Sequence, residues 1–323
     1  MIANEKTLVL GIDPADYFVP WAHNRHIVFS VPALAFWFRN RNLPRRLQSR
    51  LGLTNPADLQ QHYLQKALRR YDKIIFLNWT PACFLTNPLL AQPHRAKTYV
   101  FFWDMNVKNP TPAVLERIAT LKRLHTGGVY SFQREDCETY GLHFNDTMYA
   151  PPPPALRAAR PTQWDVFFCG VSKDRLPLLQ EVCDVCQAAG LSSKFYIRKW
   201  NYGVYSTEGI ALEQRPGWEV TEDAVSYQQY LDWLTQSRAV LDIYQTGQTG
   251  FSLRVMEHMF FEKKLITNNR VIKNAPFYHR ENIFCWGEDN PACLREWLEL
   301  PFVPIDEKIK NDYHYENWVK RFT

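Results

Sequence analysis

The stretch Thr246–Asn269, TGQTGFSLRVMEHMFFEKKLITNN, reads as a loop, a short helix and a strand. Gly247 and Gly250 bracket Gln248 and Thr249, and glycines let a backbone approach a ligand closely. A glycine-bearing loop that feeds a helix N-terminus presents backbone N–H groups and the helix dipole to a phosphate. Arg254 at the start of the helix adds a guanidinium fork that matches phosphate oxygens. Glu257, one turn later, has the chemistry to accept hydrogen bonds from a ribose. These are the parts of a nucleotide-diphosphate site.

The helix is amphipathic by angle. At roughly 100° per residue, Leu253, Val255, Met256, Met259 and Phe260 share one arc, and Arg254, Glu257 and His258 share the opposite one. The apolar arc is expected to pack on a sheet and the polar arc to face outward. A surface helix with a solvated i,i+3 Arg–Glu contact has the same periodicity. The loop upstream narrows the gap between the two readings, and both stay open at this point.

Around this stretch the chain is an ordinary globular sequence. Its 323 residues predict two domains, with 46% hydrophobic and 22% charged residues. The net charge of +5 is too mild to argue for nucleic acid, and no nucleic-acid-binding motif occurs. The basic residues are uneven. Phe36, Trp37 and Phe38 precede Arg39, Arg41, Arg45, Arg46 and Arg50. Residues 36–50 therefore read as contact with an anionic membrane surface or an acidic glycan, or as a solvated surface segment. The seven cysteines are scattered, the N-terminus does not read as a secretory leader, and no apolar run reaches roughly 18 residues. A cytoplasmic protein with reduced thiols is expected, peripheral at the inner face of the plasma membrane if residues 36–50 bind lipid. Cys183 and Cys186 form a CxxC inside a helical pattern and read as helix-face residues, with no metal site.

Along the chain, apolar runs at Thr7–Asp13, Lys73–Trp79, Lys97–Met105 and GGVYSF alternate with helical patterns at 56–70, Pro112–Leu124 and REDCETYG. Alternation of this kind implies a parallel sheet covered on both faces. The prolines at 151–154 exclude helix and central strand and mark a boundary. The pattern then restarts with DVFFCG, LPLLQEVCDVCQAAG, KFYIRKW, SYQQYLDWLTQS and AVLDIY before the opening stretch, and continues to NIFCW. The expected fold class is α/β, with two Rossmann-like doubly wound domains facing a cleft. Residues 1–150 form the first domain, 151–162 a proline-rich linker and 163–305 the second domain, with 306–323 packing back on the first.

The second half resembles a known family. SRAVLDIYQTGQTGFSLRVMEHMFFEKKLITNN followed by NIFCW is similar to GT-B fold glycosyltransferases of bacterial lipopolysaccharide-core and capsule biosynthesis. They show an acidic-ended strand, a Gln-Thr-Gly loop, an Arg-x-x-Glu helix and a Lys-Leu-Ile-Thr-x-Asn strand. The first half matches in layout. The resemblance implies a nucleotide-sugar donor bound by the second domain and a glycan or lipid-linked acceptor bound by the first. It places Glu257 at the donor ribose and Gln248, Thr249, Gly250 and Arg254 near the diphosphate. Gly170, Lys173 and Arg175 fall on the phosphate-side loop, and Tyr196 and Arg198 where the base is lined. Thr249 stands eight residues before Glu257, where many retaining members carry a second glutamate. Phe261-Glu262 replaces the glycine that ends the helix.

Enzymes of this fold need no DxD-bound metal, and the chain has no DxD, so no metal or cofactor is expected. An inverting transfer needs a base for the acceptor hydroxyl. Asp13 and Asp16 after the first strand, and Asp104 after the third, are the candidates, although Asp-Pro at 13–14 also suits a turn. The alternative to a glycosyltransferase is a non-catalytic GT-B-like binding or scaffold protein, or a related nucleotide-sugar epimerase.

Overall fold

The computed structural model describes residues 5–13, 16–30, 56–78, 80–104, 111–158, 160–199 and 210–323. The basic-aromatic stretch 36–50 lies outside them. In chain order the regular elements begin with β1 (Thr7–Leu10), β2 (Ile27–Ser30), α1 (Pro56–Arg70), β3 (Lys73–Leu77), α2 (Ala82–Leu85) and β4 (Lys97–Phe102). There follow α3 (Pro112–Leu124), β5 (Gly128–Ser131), α4 (Arg134–Tyr140), β6 (His143–Phe144), α5 (Pro154–Arg157), β7 (Trp164–Val171), α6 (Leu176–Ala188) and β8 (Ser193–Arg198). The remainder comprises β9 (Glu213–Arg215), β10 (Trp218–Thr221), α7 (Tyr227–Thr235), β11 (Ser237–Asp242), α8 (Leu253–Phe261), β12 (Lys264–Thr267), β13 (Ile283–Cys285), α9 (Leu294–Glu299), α10 (Glu307–Tyr313) and α11 (Tyr315–Lys320). They form two compact units: 1–146 with 315–323, and 147–314.

In the first unit six parallel strands run in the order β2-β1-β3-β4-β5-β6. Leu10, Phe76, Val100 and Phe102 pack with Leu64 and Leu68 of α1 and Leu121 of α3. The alternate residues of β4 meet the end of the chain: the Phe101 ring lies 5.1 Å from Trp318 and the Tyr99 ring 5.5 Å from Phe322. Lys73, 5% exposed, donates to Val319 O (3.2 Å) and Phe322 O (2.7 Å) and so caps the last turn of α11. The chain goes outward from β1 to β2 and returns to β3, so the strand order reverses between β1 and β3. Gly11, at φ +115°, follows β1 there. Thr80 Oγ1 donates to Leu10 O (2.9 Å) and ties the two strand ends together.

In the second unit the order is β13-β12-β11-β7-β8-β10-β9, with only β9 antiparallel among the described strands. In order of appearance the parallel strands read 3-2-1-4-5-6, the dinucleotide-fold order, which reverses between β7 and β11. Phe168, Ile197 and Leu241 cover one face with Leu179 and Val182 of α6 and Leu298 of α9. Phe167 and Tyr196 on the other face meet Tyr230 and Trp233 of α7. Cys183 and Cys186 are fully buried on α6 with free thiols, as their helical spacing predicts.

The α/β class and both Rossmann-like sheets agree with the sequence reading. β2, β6, β9 and β10 were not legible in it; β6 and β9 have only two and three residues. The other two, β2 and β10, hold inner or reversing places in the order. Both are four residues long and half-buried, and Trp218–Thr221 alternates buried and intermediate positions. Two local readings are corrected. Pro154 is the first residue of a one-turn helix, where a missing N–H costs nothing. The C-terminal aromatic stretch is two helices, broken at His314. Among the described residues no helix is long and apolar enough to cross a membrane.

Candidate functional site

In an open α/β sheet, ligands bind beyond the carboxyl ends of the strands where the order reverses. In the second unit those ends are Cys169–Val171 of β7, and Asp242 of β11 with Ile243 after it. The opening stretch is placed there by its own connectivity, because the 243–252 loop leaves β11. A turn closes from Gln248 N to Gln245 O (3.1 Å), and Gly247 supplies φ +88° within it. Ser252 caps α8 by accepting from Arg254 N (3.1 Å). Its hydroxyl donates to Asp242 Oδ2 (2.6 Å), which ties the helix start to the strand end.

Two guanidiniums bridge the strand ends. Arg254 donates to Cys169 O (2.5 Å) and pairs with Asp242 Oδ1 (3.4 Å), with its side chain 17% exposed. Arg175 donates to Ile243 O (3.1 Å) and to Val171 O. The guanidinium carbons stand 5.1 Å and 5.7 Å from the centre of the Phe168 ring, so one aromatic ring serves both cations. Thr246 N donates to Asp174 Oδ2 (3.1 Å), which locks the loop after β7 to the loop after β11. Lys173, in the loop after β7, has φ +44°, a conformation side chains rarely adopt.

Side chains just after β12 complete the frame. Tyr244 N donates to Asn268 Oδ1 (2.7 Å), and Asn269 Nδ2 donates to Thr249 O (3.0 Å). Ser252 N donates to Tyr244 Oη (3.1 Å). Among the described residues the amides of Gly250 and Phe251 make no hydrogen bond, and that of Leu253 opens the first turn of α8. The loops after β7 and β11 and both arginines thus meet at one carboxyl edge of the sheet.

The structure therefore brings together Gly170, Lys173, Arg175, Gln248, Thr249, Gly250 and Arg254. Gly170 is needed for close approach: a Cβ there would fall closer than 3.0 Å to Arg254 Nη2 and 3.3 Å from Phe168 Cζ. Gly170→Ala is expected to push Arg254 out of its bonds and cost about 1–3 kcal/mol, the usual penalty of overpacking. Chemical denaturation with an unchanged midpoint would refute this.

The other candidate residues are held by the protein itself. Tyr196 is buried under Trp233, ring centroids 5.3 Å apart, and its hydroxyl donates to Asp223 O (3.2 Å). Arg198 shares the carboxyl edge, in register with Val171, but donates to Glu222 O (3.3 Å). Both residues bond the 222–223 loop. The polar arc of α8 does not face outward: residues 255–261 are all buried, with Glu257 1% and His258 0% exposed. Glu257 accepts from Tyr227 Oη (2.7 Å) at Oε1 and from Tyr230 Oη at Oε2. The Tyr149 hydroxyl is 2.9 Å from that of Tyr227. Burial raises the Glu257 carboxyl to about 7, against the lowering effect of the tyrosine hydrogen bonds. His258 Nδ1 meets Lys263 O. Angle alone does not show that a polar side chain has buried partners. The helix ends at Glu262 with φ +52°, so a glutamate holds the left-handed cap expected of glycine.

In the first unit, Asp13, half-buried, and Asp16, exposed, follow β1, and the exposed Asp104 lies two residues past β4. All three sit at the carboxyl edge of the parallel sheet. Asp16 N donates to Asp13 O (2.8 Å), which closes a turn between the first two. Sequence reasoning assigned no role to Asp174, Asp242, Tyr244, Ser252, Asn268 or Asn269. Only the acid ending β11 and the asparagines after β12 were visible, as parts of a resemblance.

No protein-family model matches the chain, and no curated protein matches it in sequence. Among solved structures, the spinosyn forosaminyltransferase SpnP aligns over 99% of this chain and 95% of its own, at 10% identity and a TM-score of 0.41. A GtfA/B complex bound to UDP and GlcNAc aligns over 80% of this chain and 57% of its own, at 10% identity and a TM-score of 0.29. Both likenesses are distant, and no residue role follows from them.

Proposed function

We propose that this chain is a GT-B-type glycosyltransferase that moves a sugar from a nucleotide-diphosphate donor to a glycan or lipid-linked acceptor of a bacterial surface polysaccharide. The observation that carries the reading is the pair of guanidiniums, Arg175 and Arg254, bridging the carboxyl ends of β7 and β11 beside open amides. Preorganised cations and amides stabilise charge as it develops on a leaving diphosphate. Lys173 adds a third positive group, and this charge set would perform the role a metal fills elsewhere. The acceptor hydroxyl would lose its proton to a carboxylate of the first unit, with Asp13, Asp16 and Asp104 as candidates. An inverting transfer fits Thr249 standing where a second glutamate is found in retaining relatives of the resembled family. Attachment of residues 36–50 to an anionic membrane belongs to the same reading.

UDP, GDP, ADP, dTDP and CMP are screened by thermal unfolding. At a hundredfold excess over Kd, one of them is expected to add about 2.7 kcal/mol and raise Tm by roughly 5 °C. If none moves Tm, the donor-site reading fails. The sealed Glu257 carboxylate favours a second reading, a non-catalytic GT-B-like binding protein. That protein would bind nucleotide yet neither hydrolyse nor transfer the sugar of any nucleotide-sugar donor.

A further inference from the structure

The glutamate of the Arg-x-x-Glu helix has a different setting from the one its sequence suggests. Both of its oxygens are taken by tyrosine hydroxyls of α7, and the side chain is almost without solvent. Tyr227 extends the set to Tyr149, which is itself fully buried and lies in the segment that enters the unit. That segment runs along α8. Thr147 Oγ1 donates to Phe251 O just before the helix. The Tyr149 ring lies 5.2 Å from Phe260, and Arg157 Nη1 donates to Phe260 O (3.3 Å) at the helix end. Tyr149 N also donates to Tyr313 O (2.9 Å), so the entering and leaving segments of the unit are joined at this residue.

The rotation of α8 about its axis decides where Arg254 points, because Arg254 and Glu257 are one turn apart. Apolar packing specifies that rotation weakly. Val255, Met256, Met259 and Phe260 share one arc, Phe261 is buried on the other side of the axis, and methionine adapts to many surroundings. A buried carboxylate with fixed hydroxyl partners has no such freedom, since turning away leaves a charge or a hydroxyl unsatisfied. Arg254 and Asp242 are the charged groups whose fields reach the carboxylate, and Cys169 lies across from it on β7.

We infer that Glu257 is a positioning residue: through Tyr227, Tyr230 and Tyr149 it fixes the rotation of α8 and so aims Ser252 and Arg254, without touching the ligand. The ligand side of this inference rests on the donor-site reading above. The positioning itself does not.

The test measures nucleotide affinity and unfolding for Glu257→Gln, Tyr227→Phe, Tyr230→Phe and the double variant Glu257→Gln/Tyr227→Phe. Affinity is read well below each Tm, with whichever nucleoside diphosphate stabilises the wild type. Each single variant is expected to weaken affinity roughly tenfold or more, the equivalent of one hydrogen bond to a charged group. The double variant should be little worse than Glu257→Gln, because the two residues act as one unit. Wild-type affinity in both Tyr→Phe variants, with binding abolished in Glu257→Gln, would overturn the inference and put Glu257 on the ligand. If no nucleotide binds the wild type, the donor-site reading fails separately. The cycle is then read from unfolding, where coupled losses support the positioning role and additive losses refute it.

Discussion

Asp242→Ala is expected to destabilise the second unit by about 3–5 kcal/mol, the cost of leaving one member of a buried ion pair alone. Asp242 is 2% exposed and pairs with an Arg254 side chain that is 17% exposed. Without the carboxylate, the guanidinium keeps Cys169 O and the Phe168 face but no countercharge, and the Ser252 hydroxyl loses its acceptor. For a unit of this size the loss should lower Tm by roughly 10 °C. Asp242→Asn, which retains an acceptor for Ser252, should lose less. The double variant Asp242→Ala/Arg254→Met should recover part of the loss, because it removes the orphaned charge as well. Urea denaturation of the three variants checks the order. If Asp242→Ala costs under 1 kcal/mol, the pair does not organise the loop.

The second large effect is a dependence on pH. Burial lifts Glu257 from the usual 4.5 to about 7. The folded protein therefore holds a proton that the unfolded chain has already released between these values. Stability from this group is complete below about pH 4.5 and is lost as pH rises to about 7. The shift amounts to roughly 3 kcal/mol. His125 and His258 work in the opposite direction. Burial lowers both to about 4, so the unfolded chain takes up protons below 6.5 that the folded one refuses. Their contribution is present at neutral pH and is lost as pH falls. The wild-type profile sums these opposing slopes. The difference between Glu257→Gln and wild type isolates the glutamate. That difference should change by roughly 3 kcal/mol from pH 4.5 to 7.5, in favour of the glutamine variant at the higher pH. A difference that stays flat across this window would show that Glu257 titrates as an exposed acid.

These two groups also show where sequence and structure part. Asp242 and Glu257 are both acids in or beside the opening stretch, and both carry unit-wide consequences. The sequence pointed to Glu257 as a ligand contact and passed over Asp242. The structure buries both: Asp242 pairs with Arg254 and accepts from Ser252, and Glu257 is closed in by tyrosines. Tyr227 and Tyr230 are three residues apart and so share a helix face, a signal the sequence did contain. Nothing in it said that this face lies against α8.

The sequence by itself determined the α/β class, helix 56–70 and helix 112–124 to the residue, and the loop–helix–strand form of the 246–269 stretch. Those features are local. They follow from periodicity, capping and glycine placement, which act within a few residues. The tertiary structure decided the order of strands, and with it the neighbours of the phosphate-type loop. Arg175 and Arg254 are far apart in the chain and come to one aromatic ring because β7 and β11 are adjacent in the sheet. That adjacency rests on the parallel pairing of β7 with β11, two strands some seventy residues apart in the chain. Whether a polar side chain on α8 meets a ligand or a buried partner is settled by such long-range neighbours, because burial and hydrogen bonding are properties of the packed chain.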